Sequence, residues 1–120
     1  MALASASIEP TYGNMTCSTT ASVATRHGAK YVQQLCKHWQ HNLAVTLDDT
    51  RGTVTFPANA RGADYPGNAT ATFEPSADAI LVRIDASAPE QRDALKGVVA
   101  THLDRFAFRE APLGFDWHDD

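Results

Sequence analysis

The sequence predicts a two-layer α+β domain, an antiparallel sheet of about five strands with two helices on one face. Three observations lead there. Two segments, residues 28–39 and 95–106, repeat apolar residues at helical spacing. Four runs between them alternate apolar and polar residues at a period of two, as half-buried strands do. Short turn-forming stretches join most of those runs, so successive strands meet as hairpins and run antiparallel. The order is β-α-β-β-β-β-α, with a short C-terminal strand as an option.

Residues 1–14 are small and polar and end in Pro10, Gly13 and Asn14, the composition of a disordered tail. A single domain over residues 15–117 follows, with a frayed end at 118–120. In the first strand Cys17, Thr19, Ala21 and Val23 share a face against Ser18, Thr20 and Ser22. Thr25 offers a capping oxygen to a helix over residues 26–41. Its Gly28, Tyr31, Val32, Leu35, Cys36 and Trp39 fall on one side, and Asn42 can end it in the left-handed conformation.

Leu43, Val45 and Leu47 face inward in the next strand. Residues 48–52 turn, and Val54 and Phe56 face inward on the return. Residues 57–68 hold two prolines, two glycines and two asparagines, a long loop of the kind that often carries function. Ala69, Ala71 and Phe73 alternate next, and Ile80, Val82 and Ile84 form the strongest strand. Ser87, Ala88, Pro89 and Glu90 read as a capping box with proline in the first turn. The second helix runs to residue 108 or 109 before Pro112 and Gly114 stop it. Leu113, Phe115 and Trp117 then alternate. The element order is that of TATA-binding-protein-like folds, an analogy of architecture that says nothing about DNA.

At 120 residues and 43% hydrophobic content the chain builds one small core. The net charge is −4 and the ten Lys and Arg are dispersed, so nucleic acid and anionic membranes are not expected partners. No segment approaches the ~20 apolar residues of a membrane span. The N-terminal residues have no basic stretch followed by an apolar core, and Cys17 and Cys36 lack Cys-x-x-Cys spacing. A cytoplasmic protein with reduced thiols is the expectation.

Three segments together resemble the bacterial domain of unknown function family 2218. They are Leu35-Cys36-Lys37-His38-Trp39 with His41, then Arg51-Gly52-Thr53-Val54-Thr55-Phe56, then residues 97–110 with His102-Leu103-Asp104-Arg105-Phe106. The resemblance spans residues 18–117. It implies a small cytoplasmic protein of no established activity, of a kind found near siderophore-utilisation proteins.

His102 is the leading candidate for a site. On a helical wheel it points near the centre of the stripe formed by residues 95, 98, 99, 102, 103 and 106, so burial of its ring is expected. A buried imidazole needs a polar partner for each nitrogen, and Cys36, Tyr31, Thr19 and Thr25 are the candidates. A thiolate–imidazole pair of Cys36 with His102 would be a nucleophile, though Cys36 as an apolar filler is the simpler reading. His38, His41 and His102 would form an open transition-metal site if their helices pack flank to flank. The simpler reading leaves His41 solvated and His102 structural.

Arg105 and Arg109, four residues apart, would clamp an anion, or would lie on a solvated charged face with Asp104 and Glu110. Trp39, Phe106, Phe108, Phe115 and Trp117 would line an apolar pocket or simply fill the core. No nucleophile, base and acid stand at a catalytic spacing. The expected function is therefore a non-enzymatic accessory module that binds a small molecule or a partner protein through His38, Trp39, His102, Arg105 and Phe106. The alternative is a metal-binding protein using His38, His41 and His102 and linked to iron or siderophore use. No cofactor is expected beyond such a metal, and the oligomeric state is monomer or homodimer.

Overall fold

The structure is a computed structural model and describes residues 17–48 and 51–120. The expected tail at 1–14 lies outside the described residues. Six strands and two helices follow in order: β1 (Cys17–Ala24), α1 (Gly28–Trp39), β2 (Ala44–Asp48), β3 (Arg51–Phe56), β4 (Ala69–Pro75), β5 (Ala79–Ala86), α2 (Pro89–Phe106) and β6 (His118–Asp119). They form one antiparallel sheet in the order β2-β3-β4-β5-β1-β6, with α1 and α2 packed on each other and on the sheet. This is the two-layer α+β architecture that the alternating runs and helical stripes predict.

The period-two pattern sets which residues enter the core. Ala69, Ala71 and Phe73 of β4 and Ile80, Val82 and Ile84 of β5 are fully enclosed. Cross-strand partners on the same face, such as Phe73 with Val82 and Ala71 with Ile84, stack into one apolar layer. β2 departs from the pattern because it is an edge strand: Val45 is half-buried and Leu47 is exposed. The turn expected at 48–52 is shorter, since Arg51 and Gly52 already pair with Asp48 and Leu47 as the start of β3.

α1 buries the six residues that its sequence places on one face. It begins at Gly28 rather than at residue 26, and its N-cap is His27, with no side-chain cap. The expected cap, Thr25, serves elsewhere. Its hydroxyl accepts the His27 N–H at 3.1 Å and lies 3.0 Å from both carboxylate oxygens of Glu110. The helix ends at Trp39, whose carbonyl accepts the amides of Asn42 and Leu43.

α2 is rotated from the expected stripe. Gln91, Leu95, Val99 and Leu103 are its buried row, while Val98, His102 and Phe106 are half-buried on one flank. The four-residue ridge packs on the sheet, and the flank turns toward α1. The helix stops at Phe106, and Phe108 is 69% exposed.

The C-terminus is also ordered. His118 and Asp119, expected to fray, pair with Thr20 and Thr19 as β6. Lys96 lies 2.8 Å and Arg92 3.5 Å from the Asp119 carboxylate, so α2 pins the last strand to the sheet. No helix among the described residues is long and apolar enough to cross a membrane.

A carboxylate ties the two helices together. Glu110, in the turn after α2, accepts hydrogen bonds from the hydroxyls of Tyr31 and Thr25. It does not pair with Arg105, as the helical spacing allows. The Tyr31 hydroxyl, ahead of the Thr25 hydroxyl, holds the Glu110 carboxyl below its usual range. A carboxyl lowered on folding stabilises the fold above its unfolded value of about 4.3 and loses that contribution as pH falls through its folded value. Tyr31→Phe should therefore flatten the acid limb of the stability–pH curve, read from denaturant melts between neutral and strongly acidic pH. An unchanged limb would show that the tie contributes nothing.

Candidate functional site

The flank of α2, the end of α1, the end of β3 and the long loop enclose a pocket of about 530 Å³. The loop is held by a short 3-10 turn at Ala60–Gly62, with Gly62 at φ +81°, a conformation that glycine adopts without strain. Ala60, Ala63 and Tyr65 of the loop face Leu95, Val98 and His102 of α2 across the pocket. Trp39 and Phe56 meet edge to face at 5.3 Å in its wall, and the Trp39 ring lies 6.3 Å from the buried ring of Phe73.

Two polar residues, the buried Gln91 and the half-buried Ser87, hold the loop against α2. Gln91, only 2% exposed, donates its side-chain N–H to the Gly67 carbonyl at 3.0 Å and accepts the Ser87 amide at 2.7 Å. The Ser87 hydroxyl lies 2.6 Å from Gln91 Oε1 and 3.0 Å from the Gly67 carbonyl, and it accepts the Gly67 amide at 3.1 Å. The expected capping box is thus a loop latch. The N-cap of α2 is Ala88, and no side chain caps the helix. Ser87→Ala should cost about 1 kcal/mol by leaving these partners unmet. It should speed hydrogen exchange at the Gly67 amide more than at the first-turn amides of α2, whereas a cap would give the opposite pattern.

His102 stands at the pocket wall rather than in the core. The ring is half-buried, and Nδ1 lies 2.7 Å from the carbonyl of Val98 one turn earlier. A carbonyl only accepts, so Nδ1 carries the proton, and in the neutral ring Nε2 is left as an acceptor. None of the expected partners Cys36, Tyr31, Thr19 or Thr25 is used. The ring centroid of His102 is 5.1 Å from Trp39 and 5.9 Å from His38, and His38 stands edge-on to Phe106 at 5.8 Å. Because the ring is half-exposed and its partner is its own helix, His102→Leu and His102→Ala should melt within about 1 kcal/mol of each other. A much larger loss for alanine would place the ring in the core.

The geometry therefore brings together His38, Trp39 and His102. Arg105 and Phe106 line a second cleft one turn further along α2. His41 is exposed and does not line the pocket. Among the described residues no group of three or more His, Cys, Asp or Glu is placed to hold a metal ion, so a metal reading rests on His38 and His102 alone. Cys36 is fully buried with its Sγ against Gly52, and burial pushes its thiol up, which disfavours a thiolate. Of the five aromatic residues expected to line one pocket, only Trp39 does. Phe106 and Phe108 line the second cleft, and Phe115 and Trp117 stack on each other at 5.6 Å. Asp104 is not a solvated charge either, since it accepts the Leu113 amide at 2.9 Å. Among the pocket residues that sequence reasoning missed are Gln91, Leu95, Ala63 and Tyr65. The length and composition of the 57–68 loop were the available signal for the last two.

Residues 20–118 match the bacterial family described as "Uncharacterized protein conserved in bacteria (DUF2218)". The chain belongs to this family. Its fold is similar to the NMR structure of PA4090 from Pseudomonas aeruginosa, at 28% identity and a TM-score of 0.65, over 84% of this chain and 94% of that one. No curated protein matches the chain. In this family member the segments around Trp39 and His102 form adjoining parts of one pocket wall, and Gly52 lies under α1.

Proposed function

We propose that this protein binds a small organic molecule in the pocket between α1, α2 and the 57–68 loop. The observation that carries the reading is the pocket itself. Its volume of about 530 Å³ falls in the range of small-molecule sites, and its wall is mainly apolar with a few polar groups. A flat apolar body suits the Trp39 and Phe56 rings. A hydrogen-bond donor on that body suits the free acceptor nitrogen of His102. Among the described residues no group in the pocket is placed with a second one as nucleophile and base, which favours binding over catalysis.

The probe is 2-naphthol, titrated against the protein and followed by its fluorescence, with naphthalene as the analogue lacking the donor. Saturable one-to-one binding of 2-naphthol is expected. Ala94→Trp, at an exposed position lining the pocket, should fill it and remove binding while the fold persists. His102→Phe should weaken 2-naphthol by roughly threefold to tenfold, the worth of one neutral hydrogen bond, and leave naphthalene unchanged. Absence of saturable binding, or binding indifferent to Ala94→Trp, would overturn the reading.

A further inference from the structure

We propose a second binding site, for a small molecule carrying an anionic group on an aromatic body, in the cleft where the end of α2 meets the start of α1. The cleft measures about 180 Å³. Three cations line it: Lys30 from α1, Arg105 from the last turn of α2 and Arg109 from the turn beyond it. Among the described residues none of the three is in a salt bridge. The adjacent carboxylate, Glu110, is engaged by Tyr31 and Thr25. The whole chain carries a net charge of −4, so three unpaired cations on one cleft are not a sample of its average surface.

Helix electrostatics explain only one of them. A cation in the last turn of α2 complements the negative end of the helix, which accounts for Arg105. Lys30 lies in the first turn of α1, where a cation opposes the positive end and no acidic residue offsets it. The N-terminal end of α1 and the three side chains favour an anion and outnumber the two opposing charges, the negative end of α2 and the Glu110 carboxylate. Arginine pairs suit carboxylate and phosphoryl oxygens because their planar forks bond bidentately. The Gln34 amide at the cleft adds a neutral donor.

The aromatic part follows from Phe108. Its ring is 69% exposed and lines the cleft, with the Arg109 guanidinium 5.7 Å from its centroid. An exposed phenylalanine beside a cationic cleft is complementary to a ring attached to the bound anion.

The test follows backbone amide shifts of the full chain during titration with phenyl phosphate, benzoate and inorganic phosphate. Phenyl phosphate or benzoate should shift the amides around Lys30, Gln34, Arg105 and Phe108 saturably, and the tighter of the two names the head group. Combined Arg105→Gln and Arg109→Gln should weaken it by about tenfold or more, the worth of charge-assisted bonds. Phe108→Ala should reduce it to the affinity of inorganic phosphate, and Lys37→Gln, on α1 but outside the cleft, should have no such effect. All these positions are exposed, so folding is not at stake. Absence of shifts at the cleft, shifts that survive the double arginine substitution, or an affinity indifferent to Phe108→Ala would each overturn the proposal.

Discussion

Trp39→Ala will lower the stability of the domain by about 3–5 kcal/mol and abolish the binding of 2-naphthol proposed for the main pocket. The indole is 5% exposed and touches three rings, Phe56 edge-on, Phe73 at a tilt and His102 across the pocket wall. Truncation removes the transfer energy of the largest side chain in the helix and leaves a void that the sheet beneath cannot close, because Phe73 is pinned by the neighbouring strands. Trp39→Phe keeps an aromatic wall and should cost markedly less. Denaturant melts of the two variants, with 2-naphthol titration of the phenylalanine form, separate packing from binding. A loss below about 1 kcal/mol for alanine would show that Trp39 is a pocket lining and not a keystone of the core.

Gly52→Ala is the second large effect, and it comes from a single missing carbon. A Cβ at position 52 would stand 2.4 Å from the Cys36 sulfur and 3.4 Å from a Val32 methyl. Both belong to α1, so the strand approaches the helix too closely for any side chain. The helix would have to lift, at a cost of about 1–3 kcal/mol for overpacking. Cys36→Ala removes the atom in the way and should itself cost about 1–2 kcal/mol as a small cavity. In the Cys36→Ala background Gly52→Ala should cost little, giving a favourable coupling energy between the two sites. Additive losses in the four-member cycle would mean that strand propensity, not the helix contact, makes glycine necessary.

The same pair shows where sequence reasoning succeeds and where it stops. The buried face of α1 was legible residue by residue, because 3.6-residue periodicity is a local property of the chain. Phe73, Val82 and Ile84 were legible through the period of two for the same reason. Gly52 read as a turn residue, since glycine near Asp48 and Arg51 carries that local meaning; its contact with Cys36 joins residues that no periodicity connects.

The candidate sites divide along the same line. Helical spacing identified the His102 stripe but set its centre on the ring, because a wheel weights every apolar residue equally. In the fold the sheet selects the ridge of Leu95, Val99 and Leu103, and His102 is left on the flank facing the loop. Likewise, Ser87 with Glu90 carries the local pattern of a cap, yet Ser87 is drawn to Gln91 and Gly67 by a loop packed against the helix. The order of elements, the hairpin connectivity and the inward-facing residues of α1, β4 and β5 were determined by the sequence itself, since each follows from contacts between near neighbours or from a repeat along one segment. Which helix flank meets which loop, which charges lack partners, and where two rings face one cavity were decided by the tertiary structure, because those relations depend on the rotation and spacing of elements far apart in the chain.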